Sequence, residues 1–255
     1  VLPVSLDEQR FADPALRPEI LAALGTLSRH AERLAAHGSR GGASFSFLSG
    51  SLSREAREIE RRYAAGRFRE ARFELHEFTE NCVSCHSRLP DKQDSELSAR
   101  FMDQAEIDAL PLPEQAQLAM ATRQFGRALA AQEAMLTSPG FDASSVDLLG
   151  YLDDYLEVSV RVKGDFERPA RALEAFAKRG DLRQGVRDDV KHWVGDLREL
   201  RARGPIEGLA AGRRLVEETE RASKTLGTRA LLVRYQAASG TLHRFVASLP
   251  ERDPR

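Results

Sequence analysis

Residues 68–90 read FREARFELHEFTENCVSCHSRLP and show a regular helical pattern that ends in a cysteine-histidine motif. The apolar and sulfur-containing side chains of this stretch recur at three- and four-residue steps, which is the spacing of one face of an α-helix. His86, four residues after Cys82, falls on the same side, and Pro90 is expected to end the helix. The pattern predicts an amphipathic helix whose core-facing side continues into the cysteines. The residues of this stripe are Phe68, Ala71, Leu75, Phe78, Cys82 and Cys85.

The chain contains only two cysteines, Cys82 and Cys85, and His86 follows directly. Two cysteines are too few for a disulfide-stapled scaffold, whereas the order Cys-x-x-Cys-His is typical of covalent haem attachment. On a helix this spacing brings both sulfur atoms to one edge of a porphyrin, so that each thiol bonds one vinyl group. The adjacent histidine then reaches the iron as the proximal ligand. The sequence thus predicts one covalently bound haem c held by these three residues.

Three other interpretations compete for the cysteine pair. A zinc site needs four ligands, normally with a second Cys or His pair at similar spacing. A thioredoxin-like redox pair needs a βαβ setting, which this sequence lacks. Two buried structural thiols would leave His86 unexplained. Among the other histidines only His30 and His37 are close enough in sequence to form a pair; the full set is His30, His37, His76, His192 and His243.

The first long predicted helix, about residues 15–37, offers a candidate for the distal side of the iron. The spacing of one stripe on this helix predicts an imidazole, that of His30, among the bundle-facing positions. His30 is therefore the candidate distal ligand, and the alternative is that it only hydrogen-bonds a carbonyl or water beside the core. The methionines Met102, Met120 and Met135 are further candidate ligands, but each lies in the second half of the chain, and methionine at helical spacing more often fills a core. The stripe consists of Ala23, Leu27, His30, Leu34 and His37.

The rest of the chain shows the same helical periodicity, with turn residues between the periodic runs. Gly66 is expected to cap a helix in the left-handed conformation. Residues 38–44, rich in Gly and Ser, are expected to form a loop that carries Phe45 and Phe47. Residues 158–162 alternate like a strand, but they have no partner run and lie within a longer helical pattern, so they are assigned to helix.

A polar stretch over residues 88–97 is the predicted domain boundary. It separates an N-terminal helical bundle, residues 1–92, from a second helical domain, residues 93–255. Short helices joined by tight Gly-containing turns in the second domain indicate stacked helical hairpins of the tetratricopeptide-like kind. The predicted fold class is therefore all-α, with the haem in the N-terminal bundle and a helical-hairpin, repeat-like domain after it.

Composition excludes several classes of function. The 255 residues include 38 Lys and Arg against 39 Asp and Glu, a net charge of -1, so there is no general basis for binding nucleic acid. Hydrophobic residues make up 42% and charged residues 30%, the balance of a soluble globular protein, and no apolar run is long enough for a membrane span. The sequence contains no recognisable catalytic triad, paired-carboxylate site or Gly-rich nucleotide loop, so no enzymatic activity is predicted.

Residues 67–90 resemble the haem-bearing helix of the cytochrome c′ family and related bundle cytochromes. The resemblance rests on the amphipathic helix and on Cys-Val-Ser-Cys-His-Ser-Arg near its end. In that family the motif ends the last helix of a four-helix bundle, and the distal side of the iron is open or shielded by an apolar group from the first helix. The resemblance therefore implies a five-coordinate iron as an alternative to ligation by His30. The sequence departs from the family, because only about three predicted helices precede the motif and residues 87–255 follow it.

These features predict a monohaem c-type cytochrome in one-electron transfer with a redox partner protein. Two other functions stay open: binding or sensing of small gases such as NO and CO at a five-coordinate haem, and a partner-binding scaffold with a structural haem. Haem c is attached outside the bacterial cytoplasm, and residues 1–7, VLPVSLD, do not resemble a signal peptide. The protein is therefore expected in the periplasm with its signal peptide removed, and a homodimer is compatible with this expectation.

Overall fold

The computed structural model describes most of the chain, and every regular element in the described residues is helical, with no strand among them. This confirms the predicted all-α fold class. None of the helices in this part of the chain is both long and apolar enough to cross a membrane. The described residues are 2–5, 7–38, 43–87, 107–141, 143 and 148–249.

The chain divides into two compact units. The described residues of Val1–His86 and Glu96–Leu110 form the first unit, and those of Ser87–Ser95 and Pro111–Arg255 form the second. The predicted boundary between residues 92 and 93 lies outside the described residues, so its position stays a prediction.

In its described residues, the first unit contains three long helices preceded by two short ones, with a 3-10 turn at Ile107–Ala109. The short helices α1 and α2 were not expected from the sequence. The central long helix, α4, packs along both α3 and α5. The helices are α1 (Leu2–Ser5), α2 (Glu8–Ala12), α3 (Arg17–Gly38), α4 (Ala43–Ala64) and α5 (Phe68–His86).

The turn between α4 and α5 makes these two helices antiparallel neighbours. Gly66 has a φ of 77° there, the left-handed conformation that its position predicted. Its N–H donates to the Tyr63 carbonyl at 3.0 Å, and the Arg67 N–H donates to the Arg62 carbonyl at 3.0 Å. The C-terminal half of α5 therefore lies beside the N-terminal half of α4.

Aromatic side chains hold the closed end of this hairpin against α2. The Tyr63 ring lies 4.9 Å from that of Phe11 and 5.0 Å from that of Phe68, in edge-to-face arrangements. Tyr63 is fully buried, and its hydroxyl donates to the Phe11 carbonyl at 2.9 Å. The core extends from these rings along the inner faces of α3, α4 and α5.

The start of α4 corrects one expectation. Phe45 and Phe47, predicted on a loop, lie in the first turns of α4, and Phe47 is 70% exposed. The helical pattern was hidden because small polar residues, Ser49 and Ser53, occupy core positions there. Close packing requires small residues at this contact, since a Cβ on Gly38 would clash with the Ser49 side chain.

Within the part that the structure describes, the second unit contains three pairs of helices that pack as hairpins: α6 with α7, α9 with α10 and α11 with α12. The helical-hairpin prediction is confirmed at this level. Its helices are α6 (Leu112–Ala121), α7 (Phe125–Thr137), α8 (Leu148–Leu156), α9 (Glu167–Ala177), α10 (Gln184–Arg203), α11 (Gly208–Ala222) and α12 (Leu232–Ser248).

The strand-like residues 158–162 are helical, as predicted, but they form part of a π-helix, Glu157–Val162, that continues α8. The Lys163 N–H donates to the Val158 carbonyl at 3.0 Å, the five-residue step of a π-turn. Val158, Val160 and Val162 are all buried. The alternation therefore arose because a fully packed helical segment happens to carry valine at every second position.

The left-handed turn at Gly66 gives a direct stability test of the α4–α5 hairpin. No atom lies within 4 Å of a Cβ built there, so Gly66→Ala should cost about 1 kcal/mol through backbone strain alone. The control Gly50→Ala lies inside α4, where its Cβ makes only an ordinary 3.5 Å contact with Arg54. It should stabilise the helix by up to about 1 kcal/mol. Hydrogen exchange of α4 and α5 amides in the full chain measures both changes; shifts of the same sign would contradict the assigned turn.

Candidate haem-attachment site

The motif occupies the last turn and a half of α5. At about 100° of rotation per residue, the side chains of Cys82, Cys85 and His86 fall within an arc of about 100° on the helix surface. All three side chains are half-buried, and Cys82 packs against the hydrophobic core of the first unit. The two cysteines do not form a disulfide.

The inner face of α5 leads directly into this arc. Ala71, Leu75 and Phe78 are buried, with 0%, 1% and 5% of their surface exposed, whereas Phe73 on the opposite face is 67% exposed. The predicted core-facing stripe is thus confirmed at these three positions. Farther along α5, Val83 and Ser87 are again buried, with 5% and 3% of their surface exposed, whereas Cys82 and Cys85 are half-buried. The thiols therefore lie at the edge of the buried face of the helix.

This arrangement fits the group that the motif implies. A haem bonded to Cys82 and Cys85 needs two partly accessible thiols on one side of a helix, next to apolar surface. Both cysteines are half-buried on one side of α5, and Cys82 packs against the apolar core. His86 follows on the same turn of helix as Cys85. Within the described residues, no group of three or more His, Cys, Asp and Glu side chains is arranged to hold a bare metal ion.

Polar contacts join α5 to α4 beside the motif. Asn81, which immediately precedes Cys82, donates from Nδ2 to the Glu55 carboxylate on α4. The Ser51 hydroxyl donates to the other Glu55 oxygen at 3.0 Å.

Nearer the turn between the two helices, Arg62 of α4 forms ion pairs with Glu70 and Glu74 of α5 at 3.3 and 3.0 Å.

A further ion-pair cluster on α4 keeps its carboxylate charged over a wide pH range. Glu58 accepts hydrogen bonds from Arg61 and from Arg62. These bonds, that from Arg61 first, lower the pKa of the Glu58 carboxyl to about 2. The cluster is solvent-exposed, so its role is to orient Arg62 toward α5 rather than to add much stability.

The opposite side of α5 is attached to α1. Arg72 donates from Nε to the Ser5 carbonyl at 2.6 Å, and His76 Nε2 lies 3.2 Å from the Ser5 hydroxyl. His76 therefore has a structural hydrogen bond. His192 likewise contacts a backbone carbonyl, with its Nδ1 2.8 Å from that of Asp188.

His30 lies on the edge of the buried face of α3 and is exposed to solvent. This differs from the expectation that it faces the bundle, because the core positions of α3 run through Ile20, Leu24 and Ala31. The neighbouring Leu34 is 38% exposed, and His37 is exposed as well. The predicted stripe is therefore the flank of the core face, and ligation of iron by His30 stays a prediction.

A cleft of about 310 Å³ lies at the other end of α5. It is formed by α2 and the first turn of α5, with Phe11, Phe68 and Arg72 among its lining residues. Phe68 precedes Cys82 by fourteen residues, or about 21 Å of helix. The cleft therefore does not adjoin the motif.

In comparisons with known proteins, no protein-family model, curated protein or solved structure matches this chain.

Two alanine variants of α5, one on its buried face and one on its exposed face, test which way the helix is rotated and therefore where the motif faces. Leu75→Ala removes a side chain that is 1% exposed and should cost about 2–5 kcal/mol. Phe73→Ala removes one that is 67% exposed and should change stability by no more than about 0.5 kcal/mol. Urea unfolding followed by hydrogen exchange of α5 amides measures both. A larger loss in Phe73→Ala would mean that α5 is rotated and the thiols face elsewhere.

Proposed function

We propose that this chain is a monohaem c-type cytochrome that transfers single electrons. In this proposal Cys82 and Cys85 bind the haem through thioether bonds, and His86 binds the iron on the proximal side. The observation that supports it is the placement of all three residues, half-buried, on one side of the last turns of α5. When bound, the haem iron supplies the one-electron redox couple.

The chain itself contributes attachment, orientation and a partly apolar surrounding. The two thiols fix the porphyrin edge to a helix whose rotation is set by Leu75 and Phe78. His86 stands one residue after the second thiol, so the same helical turn orients the imidazole. Val83, which is 5% exposed, excludes water from one flank of the motif, and a drier surrounding tunes the potential of an attached haem.

The rest of the proposal concerns where the protein works and with what. Attachment of haem c outside the bacterial cytoplasm favours an exported, periplasmic protein. The helical-hairpin unit is the proposed docking surface for a redox partner protein, since helical hairpins stack into extended binding surfaces. Exposed apolar side chains on its last helix support this role: Val246 is 62% exposed, and Leu249, directly after the helix, is 51% exposed.

Removal of the thiols tests the attachment. We expect the double variant Cys82→Ala, Cys85→Ala to release all haem when the protein is denatured and extracted with acidified solvent, because only axial coordination would remain. The control Ser84→Ala changes the same turn of α5 and should retain the haem as the unchanged chain does. Absorption of the extracted and retained fractions measures the outcome. Haem that is extracted from the unchanged chain would contradict covalent attachment.

The axial ligands decide between electron transfer and the gas-binding alternative. If His30 ligates, the oxidised protein should have a low-spin spectrum that becomes high-spin in His30→Ala but not in His37→Ala, the control from the same helix. An unchanged spectrum in His30→Ala rejects the ligand. Ready binding of CO by the reduced, unchanged protein would instead favour the five-coordinate haem that the cytochrome c′ resemblance implies.

A further inference from the structure

A carboxylate on α4 lies against the beginning of the Cys-x-x-Cys-His motif. Glu55 accepts a hydrogen bond from Nδ2 of Asn81, the residue directly before Cys82. Its second oxygen accepts a bond from the Ser51 hydroxyl at 3.0 Å. Glu55 is half-buried, and the two bonds hold its carboxylate in one place at the contact between α4 and α5.

The partners of Glu55 differ from those of the carboxylates that join α4 and α5 through ion pairs. Glu58, Glu70 and Glu74 all form ion pairs with arginines, which compensate their charges. The donors to Glu55 are instead a neutral amide and a neutral hydroxyl, and in the part of the chain that the structure describes it has no ion pair with Lys or Arg. Its negative charge therefore acts on its surroundings without compensation.

The antiparallel register brings that charge alongside the attachment residues. Because α4 and α5 run in opposite directions, earlier residues of α4 lie beside later residues of α5. The bond from Asn81 to Glu55 puts these two residues at the same level, so Ser51, one turn earlier in α4, lies beside the turn of α5 that follows Asn81. That following turn of α5 contains Cys82 and Cys85. The Ser51–Glu55 edge of α4 and the two thiols thus lie on neighbouring turns.

We infer that Glu55 lowers the reduction potential of the haem attached to Cys82 and Cys85. This inference rests on the proposed function, because it needs the haem at these residues. A fixed negative charge favours the oxidation state with the larger positive charge, so it stabilises the ferric over the ferrous iron. Partial burial strengthens the effect, since solvent and salt screen a half-buried charge less than an exposed one.

The variant Glu55→Gln tests the charge while it keeps the shape. A glutamine amide accepts from Asn81 through its oxygen and donates to Ser51 through its nitrogen, so both contacts persist. The control Glu77→Gln removes an exposed carboxylate from α5 itself, five residues before Cys82. Both are compared with the unchanged chain, matured with haem, by spectroelectrochemical titration.

We expect Glu55→Gln to increase the ratio of reduced to oxidised haem at a fixed ambient potential about tenfold, which is 59 mV for a one-electron couple. Glu77→Gln should change the ratio by less than about twofold, because its charge is exposed and screened. A Glu55→Gln shift no larger than that of Glu77→Gln would overturn the inference.

A second variant gives an independent test in case Glu55→Gln does not incorporate haem. Ser51→Lys keeps Glu55 but pairs it with an ammonium group, and it should also raise the potential; an unchanged potential in this variant would overturn the inference on its own. The haem absorption of each sample separates the two levels of the argument. Haem present without the expected shift removes the role of Glu55 alone, whereas absence of haem from the unchanged chain removes the proposed function as well.

Discussion

Burial of one face of α5 is the constraint on which the candidate site depends. Leu75 and Phe78 are almost fully enclosed, and this fixes the rotation of the helix about its axis. With that rotation fixed, the positions of Cys82, Cys85 and His86 follow, because each residue turns the helix by about 100°. A shift of one residue in the packing would turn the thiols away from the edge of the buried face. The direction in which a cofactor would be held is therefore set by packing that lies several residues before the motif.

The central helix α4 contributes both packing and charge to the same unit. Small residues allow α3 to approach closely at the contact between Gly38 and Ser49. The large, buried Tyr63 closes the opposite end through its bond to the Phe11 carbonyl. Between these two contacts, Glu55 reaches across to Asn81 on α5. One helix thus positions α5 and also places a carboxylate against Asn81, the residue that precedes Cys82.

Much of this arrangement was predictable from local sequence. The helical stripe through Leu75, the left-handed turn at Gly66 and the helical assignment of residues 158–162 all follow from periodicity or backbone preference, which are local properties. The start of α4 was missed because serines at core positions do not appear in a hydrophobic pattern. The side of α3 that faces the core was misjudged at His30, since two nearly adjacent stripes share the same helical spacing.

The contact between Glu55 and Asn81 was beyond sequence reasoning for a different reason. The two residues are 26 positions apart, and their meeting depends on how α4 and α5 align after the turn at Gly66. No periodicity of either helix reports that alignment, since each helix alone leaves the axial offset free. Polar pairs of this kind become visible only when the packing of the core has fixed the register.

Covalent haem on α5 is the central claim, and intact-mass measurement under denaturing conditions tests it most directly. The protein should be produced in a host with working cytochrome-maturation machinery. The account predicts one species with the mass of the chain plus a single haem, with the added mass on the proteolytic peptide that contains Cys82 and Cys85. A mass equal to that of the bare polypeptide, from a host that attaches haem to a reference c-type cytochrome, would contradict it.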